Sequence, residues 1–178
     1  MTADAGPVPT SPPQHRADMF LDLDTDPREG GPSLGDERTT LTEFLRCQRL
    51  TLQVKCEGLD ADQLARRSVD PSTMSLLGLL RHMAEVERSW FRRRFSGQDV
   101  PKRYQTPEEP DGDFDGAVAD PGVVAEAWQA WREEVGFAEE FTAATDLDVV
   151  GPGDQRSLGL PAHDRGVRPP QRPRRPAP

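Results

Sequence analysis

The sequence predicts an all-α fold, a bundle of amphipathic helices. Three stretches carry apolar residues at steps of three, four and seven, which is the spacing of one helix face, and no stretch shows the alternation typical of a strand. Most of the 18 prolines lie near the two ends of the 178-residue chain. We therefore expect one domain over residues 36–158, with a leader before it and a tail after it.

The leader, residues 1–35, is rich in proline and glycine and is predicted to be flexible. Within it, the apolar residues of the segment Met19–Leu23 are spaced to pin a short extended piece onto the domain. Met19 is also an alternative start codon, so translation could omit residues 1–18.

The first helix is predicted to begin at Asp36 and to end at Gly58. Its apolar face holds Leu41, Phe44, Leu45, Leu52 and Cys56, and its other faces hold Glu43, Arg46, Arg49 and Lys55. Cys47 and Cys56 are nine positions apart and point to opposite sides of a helix, which excludes a disulfide between them. We interpret both as small apolar side chains in a reducing compartment.

The second helix is predicted to open at Ser72 or Thr73, either of which can cap it, and to run to the cationic triplet Arg92–Arg94. Its wide apolar stripe contains Leu76, Leu79, Leu80, Met83, Val86, Trp90 and Phe91. Residues 96–122 form a long acidic surface connection, a length that is often functional. The third helix carries its apolar residues from Val124 to Phe141.

Composition excludes several functions. The chain has 31 acidic and 22 basic residues, and its net charge of −9 disfavours nucleic acid as a partner. No apolar run is long enough for a membrane helix and no signal peptide is evident, so we expect a cytoplasmic protein with no membrane contact. There is no phosphate-binding glycine loop, no nucleophile motif and no Cys-x-x-Cys pair.

His82 is the one histidine that lies in a predicted helix. One interpretation is a histidine at the edge of the core, hydrogen-bonded to a neighbour. The other is a metal ligand, which would need partners from other helices. Glu85 and Glu87 follow closely; acidic residues on helices are usually solvated, and Glu87 is the better candidate for supporting a ligand.

Three segments together resemble the DinB-like superfamily, and specifically its uncharacterised branch from high-GC bacteria that includes the mini-circle proteins. They are Asp36–Leu41, STMSLLGLLRHMAEVERSWFRRRF at 72–95 and DPGVVAEAWQAWREEV at 120–135. The resemblance covers about residues 19–158. It implies a four-helix bundle of up-down-down-up type that holds a divalent metal, often zinc or nickel, through one histidine of the second helix and two of the fourth.

His82 matches the ligand of the second helix, and Glu87 lies where it could support that ligand. The characterised relatives act with mycothiol, bacillithiol or glutathione. The resemblance therefore implies a metal-dependent thiol transferase or isomerase, with a metal-activated thiolate and a small-molecule substrate.

The chain departs from the family after Ser157-Leu158, where a fourth helix should begin. Residues 159–178 are instead rich in proline and arginine, and residues 164–178 carry five Arg and one Asp, a net charge of +4. Codons exist that encode residues 159–176 in one frame and VYLHMIEEYARHNGHADL, a helix of the expected kind, in the next. We therefore interpret residues 159–178 as a disordered, frameshifted tail, natural or from sequencing.

Loss of the fourth helix would expose an apolar groove along the other three and leave His82 without its co-ligands. We expect the chain as written to be inactive and to self-associate through the groove, as a homodimer or otherwise. The alternative is a non-catalytic helical binding module whose open groove takes up a partner helix.

Overall fold

The computed structural model describes residues 21–22 and 24–152. Its helices are α1 (Glu37–Cys56), α2 (Ala61–Ala65), α3 (Leu76–Glu87), a π-helix (Arg88–Phe95), α4 (Gly112–Asp115) and α5 (Pro121–Ala144). The described residues contain no strand, so the predicted all-α class is confirmed. None of the helices in this part of the chain is long and apolar enough to cross a membrane.

Ion pairs show how the three long helices run. Arg81 and Arg88 of α3 and the π-helix face Glu126 and Glu134 of α5 in the same order, so these helices are parallel. Arg38, at the start of α1, donates to the carbonyls of Thr142 and Thr145 at the end of α5, so α1 is antiparallel to both. This is the up-down-down order of the first three helices of the predicted bundle.

Small residues bring α3 and α5 together. Ala84, Ala127 and Ala130 are at most 1% exposed, and they let the two helix backbones approach closely. Leu77, Leu80 and Trp131 complete this interface. Leu52 and Cys56 from α1 and Leu64 from α2 extend the core.

Helix α1 begins as predicted, because the side chain of Asp36 accepts a hydrogen bond from the backbone of Thr39. The prediction of the apolar face of α1 is only partly correct. Phe44 is 65% exposed, whereas Arg49, expected on a solvent face, is 9% exposed. The buried positions of α1 are confined to its second half, since the first half borders an open cleft.

The second predicted helix starts later than expected. Ser75 caps α3 through Gly78, and the Ser72 hydroxyl instead accepts from the backbone of Met74 in a turn. The preceding connection contains α2, where Asp60 and Gln63 form a reciprocal capping box.

The C-terminal part of that predicted helix is π-helical. The backbone N–H of Ser96 donates to Phe91, five residues back, at 3.0 Å. Such segments are rare overall and are frequent at functional sites. Here Arg88 and Arg92 both reach the same buried carboxylate, that of Glu134, at 2.7 and 2.6 Å.

The described part of the leader contacts α1. Arg46 donates to the carbonyls of Pro27 and Arg28, and Arg28 pairs with the buried Asp26. Most of the segment Met19–Leu23 lies outside the described residues. At the other end, Pro152 packs against Gly97, whose φ of +70° and lack of a Cβ permit the contact, so the described chain stops beside the end of the π-helix.

Candidate functional site

His82 lies on a half-exposed strip of α3. The strip also contains Leu79, Met83 and Val86, and the side chain of His82 is 36% exposed. The opposite face of α3 packs against α5. The imidazole is therefore anchored on a rigid helix and remains accessible from outside.

The closest polar partner of His82 is Asp113, from α4. Nδ1 of His82 lies 2.7 Å from Oδ2 of Asp113, and the aspartate side chain is fully buried. The sequence placed Asp113 in an exposed acidic connection, and that interpretation is wrong. Arg81 docks α4 against α3 by donating to the carbonyls of Gly112 and Asp113, at 3.0 and 2.9 Å, and this buries the carboxylate.

Further contacts hold the His82–Asp113 pair in place. Gln105 donates its side-chain amide to Oδ2 of Asp113 at 3.1 Å. The ring of Phe114 stacks on the imidazole of His82, with 5.1 Å between the ring centroids. The imidazole is thus restrained by a hydrogen bond at one nitrogen and by a stacked ring on one face.

Glu87, the residue that the sequence favoured for supporting His82, has a different partner. Its two carboxylate oxygens accept from Nε and Nη2 of Arg49 at 2.8 and 2.7 Å. Glu87 is 3% exposed, so the expectation that acidic residues here are solvated is wrong for it. Glu85 is also buried, and its carboxylate accepts from the backbone N–H of Arg103 at 2.7 Å.

Sequence reasoning also missed the buried Glu134. Its carboxylate contacts the guanidinium groups of Arg88, Arg92 and Arg103 at distances from 2.6 to 3.3 Å. Arg92, a member of the cationic triplet, is therefore held by a buried carboxylate. The sequence signal that could have found the cluster is the four-residue spacing of Arg88 and Arg92, although it does not identify the partner.

An apolar cleft opens between α1 and α3 on one side of His82, with a volume of about 260 Å³. Leu79 and Met83, the apolar α3 residues of its wall, lie three positions before and one position after His82. Trp131 and the Arg49–Glu87 pair also border it. The remaining lining residues are Leu45, Gln48, Thr51, Leu52 and Lys55.

A polar depression lies beside α4, on the other side of His82, with a volume of about 560 Å³. Arg81, Arg103 and Tyr104 line it together with the carboxylates of the connection before α5. The guanidinium carbon of Arg81 lies 3.9 Å from the centre of the Tyr104 ring. Burial and the neighbouring Glu126 raise the pKa of the Tyr104 phenol, which therefore stays neutral and can donate a hydrogen bond.

The metal centre implied by the resemblance is not complete among the described residues. No group of three His, Cys, Asp or Glu side chains is close enough there to hold an ion. His82 fits one ligand position, because a metal-binding imidazole typically contacts a carboxylate through its other nitrogen. His15 and His163 lie outside the described residues. The described side chains alone therefore do not fit a zinc or nickel centre.

Comparison with family models gives one match, to the family described as mycothiol-S-transferase, over residues 40–167. The match covers more than two thirds of the chain and includes α3, α4, α5 and nearly all of α1. The searches of curated proteins and of solved structures each found no match.

Proposed function

The chain belongs to the mycothiol-S-transferase family, a DinB-like family, and on this basis we propose that it binds mycothiol or a similar small thiol beside His82. The family match is the observation that carries the proposal. The position of His82, exposed on one side and anchored on the other, supports it. The proposed ligand class is thus a thiol together with a small molecule that accepts it.

The two cavities beside His82 suit two different ligands. Around α3, Arg81 of the polar depression and Met83 of the apolar cleft lie on either side of His82. We assign the polar depression to the hydroxyl-rich sugar and inositol part of the thiol. We assign the apolar cleft to an apolar electrophile, whose transfer from water into the cleft is favourable.

Thiol transfer needs a proton acceptor near sulfur, because the thiolate is the nucleophile. In the proposed reaction the thiol loses its proton to water and its sulfur forms a bond to an electrophilic carbon. Nε2 of His82 accepts a hydrogen bond from the thiol in this chain and would be a metal ligand in a chain that has the fourth helix. The bond that breaks at that carbon leaves an anion, which takes up the proton. Zinc or nickel, implied by the resemblance, would need further ligands from outside the described residues.

We further propose that the chain as written does not turn over. The resemblance assigns two ligands to a fourth helix, and residues 159–178 are interpreted as a frameshifted segment in its place. This chain should therefore bind the thiol without catalysing its transfer.

Titration calorimetry of the full chain with mycothiol tests this function. We expect saturable binding that glutathione does not reproduce and that His82→Gln weakens about tenfold, as for the loss of one hydrogen bond to a charged or strongly polar group. Glu140→Gln, an exposed change near the C-terminal end of α5 and away from both cavities, is the matched control and should bind normally. Conjugation of mycothiol to monochlorobimane should proceed at the uncatalysed rate. Absence of mycothiol binding would refute the proposal.

The second candidate, a binding module that takes up a partner helix, is favoured by the apolar cleft between α1 and α3 and by the exposed Phe44 on α1. Sedimentation at increasing concentration, with and without mycothiol, separates the two. Self-association that Phe44→Ser reduces, without mycothiol binding, would support the binding module. Mycothiol binding, by a monomer or by a self-associated chain, would support the transferase-like function.

A further inference from the structure

We propose that Asp113 and Gln105 are positioning residues that hold His82 in one tautomer, with the proton on Nδ1 and the lone pair of Nε2 facing outward. The tautomer of His82 follows from the contacts of His82 itself. Only the statement that Nε2 accepts a hydrogen bond from a thiol rests on the proposed function. Both residues lie in the connection at 96–122, which the sequence marked only by its length and its acidity.

The first step is the hydrogen-bonding capacity of Asp113. Its side chain is fully buried, and a buried carboxylate must be compensated by donors because it has lost its hydration. Oδ1 accepts from the backbone N–H of Phe114 at 3.1 Å, and Oδ2 accepts from Gln105 at 3.1 Å. Nδ1 of His82, at 2.7 Å from Oδ2, is the third donor. An ionised carboxylate only accepts, so the proton of this hydrogen bond belongs to Nδ1.

The second step is the orientation of Gln105. Its side-chain oxygen accepts from Nζ of Lys102 at 2.8 Å, and an ammonium group can only donate. The amide nitrogen of Gln105 must therefore face Asp113. An ammonium, an amide, a carboxylate and an imidazole thus form one directed chain of hydrogen bonds, which ends at Nδ1 of His82.

The third step is the consequence for Nε2. Nε2 lies across the ring from Nδ1, and the stacked ring of Phe114 limits rotation of the imidazole. A neutral imidazole with its proton on Nδ1 carries its lone pair on Nε2. This nitrogen can accept a hydrogen bond from a thiol or bind a cation, whereas the opposite tautomer could do neither. Asp113 and Gln105 thereby prepare His82 without touching the ligand.

Long-range ¹H–¹⁵N spectra of the full-length ¹⁵N-labelled chain at pH 9 test the inference, with the signals of His82 identified by their loss in His82→Gln. We expect the Nδ1–H pattern in the unaltered chain. In Asp113→Asn, the new amide can donate to Nδ1, and the Nε2–H form should dominate. In Gln105→Leu, Asp113 loses one of its three donors and depends more on Nδ1–H, so the Nδ1–H pattern should persist; a shift to the Nε2–H form would contradict the assigned roles.

Asp115→Asn is the matched control, since Asp115 lies in the same short helix, is 66% exposed and pairs with Arg67. The signals of His82 in Asp115→Asn should be the same as in the unaltered chain. An Nε2–H or doubly protonated His82 in the unaltered chain would overturn the inference, and so would a folded Asp113→Asn variant with unchanged signals. If that variant does not fold, the unaltered chain and Gln105→Leu decide the question. The spectra contain no thiol, so this result is independent of the mycothiol titration.

Discussion

Removing Arg49 should destabilise the fold strongly, because it leaves Glu87 as a buried charge without a partner. Arg49 and Glu87 are 9% and 3% exposed, and two hydrogen bonds of 2.7 and 2.8 Å join them. Breaking such a buried pair from one side costs about 3–5 kcal/mol. Arg49→Met, which keeps most of the side-chain volume, should therefore lower the free energy of unfolding by this amount.

The second ion pair of Arg49 contributes little. Glu139 lies 3.5 Å from Nη1 of Arg49 and is 61% exposed, so Glu139→Gln should cost less than about 1 kcal/mol. Replacing both buried partners removes the uncompensated charge as well as the attraction. Arg49→Met combined with Glu87→Leu should therefore be more stable than either single variant.

Urea unfolding at pH 7, followed by tryptophan fluorescence, measures these differences. A loss of 3–5 kcal/mol corresponds to a melting temperature that is lower by about 10 °C in a domain of this size. Arg67→Met is the matched control, because Arg67 forms an exposed ion pair at 3.6 Å, and it should change stability by less than about 1 kcal/mol. A loss below 1 kcal/mol in Arg49→Met, or a double variant as unstable as the sum of the singles, would refute the reasoning.

Three further predictions concern the ends of the helices and the cysteines. Arg38→Ala should lower the free energy of unfolding by about 1–3 kcal/mol in urea titrations, since it leaves the last carbonyls of α5 unpaired. Burial raises the pKa of the Cys56 thiol to about 11, so a thiol reagent at pH 8 should label the half-buried Cys47 first, and labelling in the reverse order would contradict the packing. Arg28 holds the pKa of Asp26 at about 2, below the ordinary 3.8, so this pair stabilises the fold above about pH 4 and loses its effect as the pH falls toward 2. Asp26→Asn should accordingly reduce the urea midpoint at pH 7 and reduce it much less at pH 2.5; an equal reduction at both would contradict the assigned pairing.

The helical class could be predicted because apolar spacing reports which faces are buried. The same reasoning failed for charged residues. Arg49 and Glu87 were expected to be exposed because charged side chains usually are exposed. Each is instead buried against the other, 38 positions away in the sequence. Glu134 is buried among three arginines for the same reason. Long-range pairing leaves no periodic signal in the sequence of either partner.

The candidate site was predictable only in part. His82 could be found because it interrupts an apolar stripe, and its resemblance to a family motif gave it a role. Asp113 could not, since it lies among acidic residues of a connection, and only the docking of α4 by Arg81 distinguishes it from its exposed neighbour Asp115. The π-helix also depends on tertiary contacts, because a continuous α-helix satisfies the local sequence equally well.

The central claim is that His82 is a metal ligand, oriented by Asp113, whose partner ligands were lost with the fourth helix. Replacing residues 159–176 by VYLHMIEEYARHNGHADL and measuring bound zinc per chain by mass spectrometry after dialysis tests this claim most directly. We expect about one zinc per chain, which falls to background in the same chain with His82→Ala and stays unchanged with Asp115→Asn. A replaced chain that binds no zinc, or zinc that persists without His82, would contradict it.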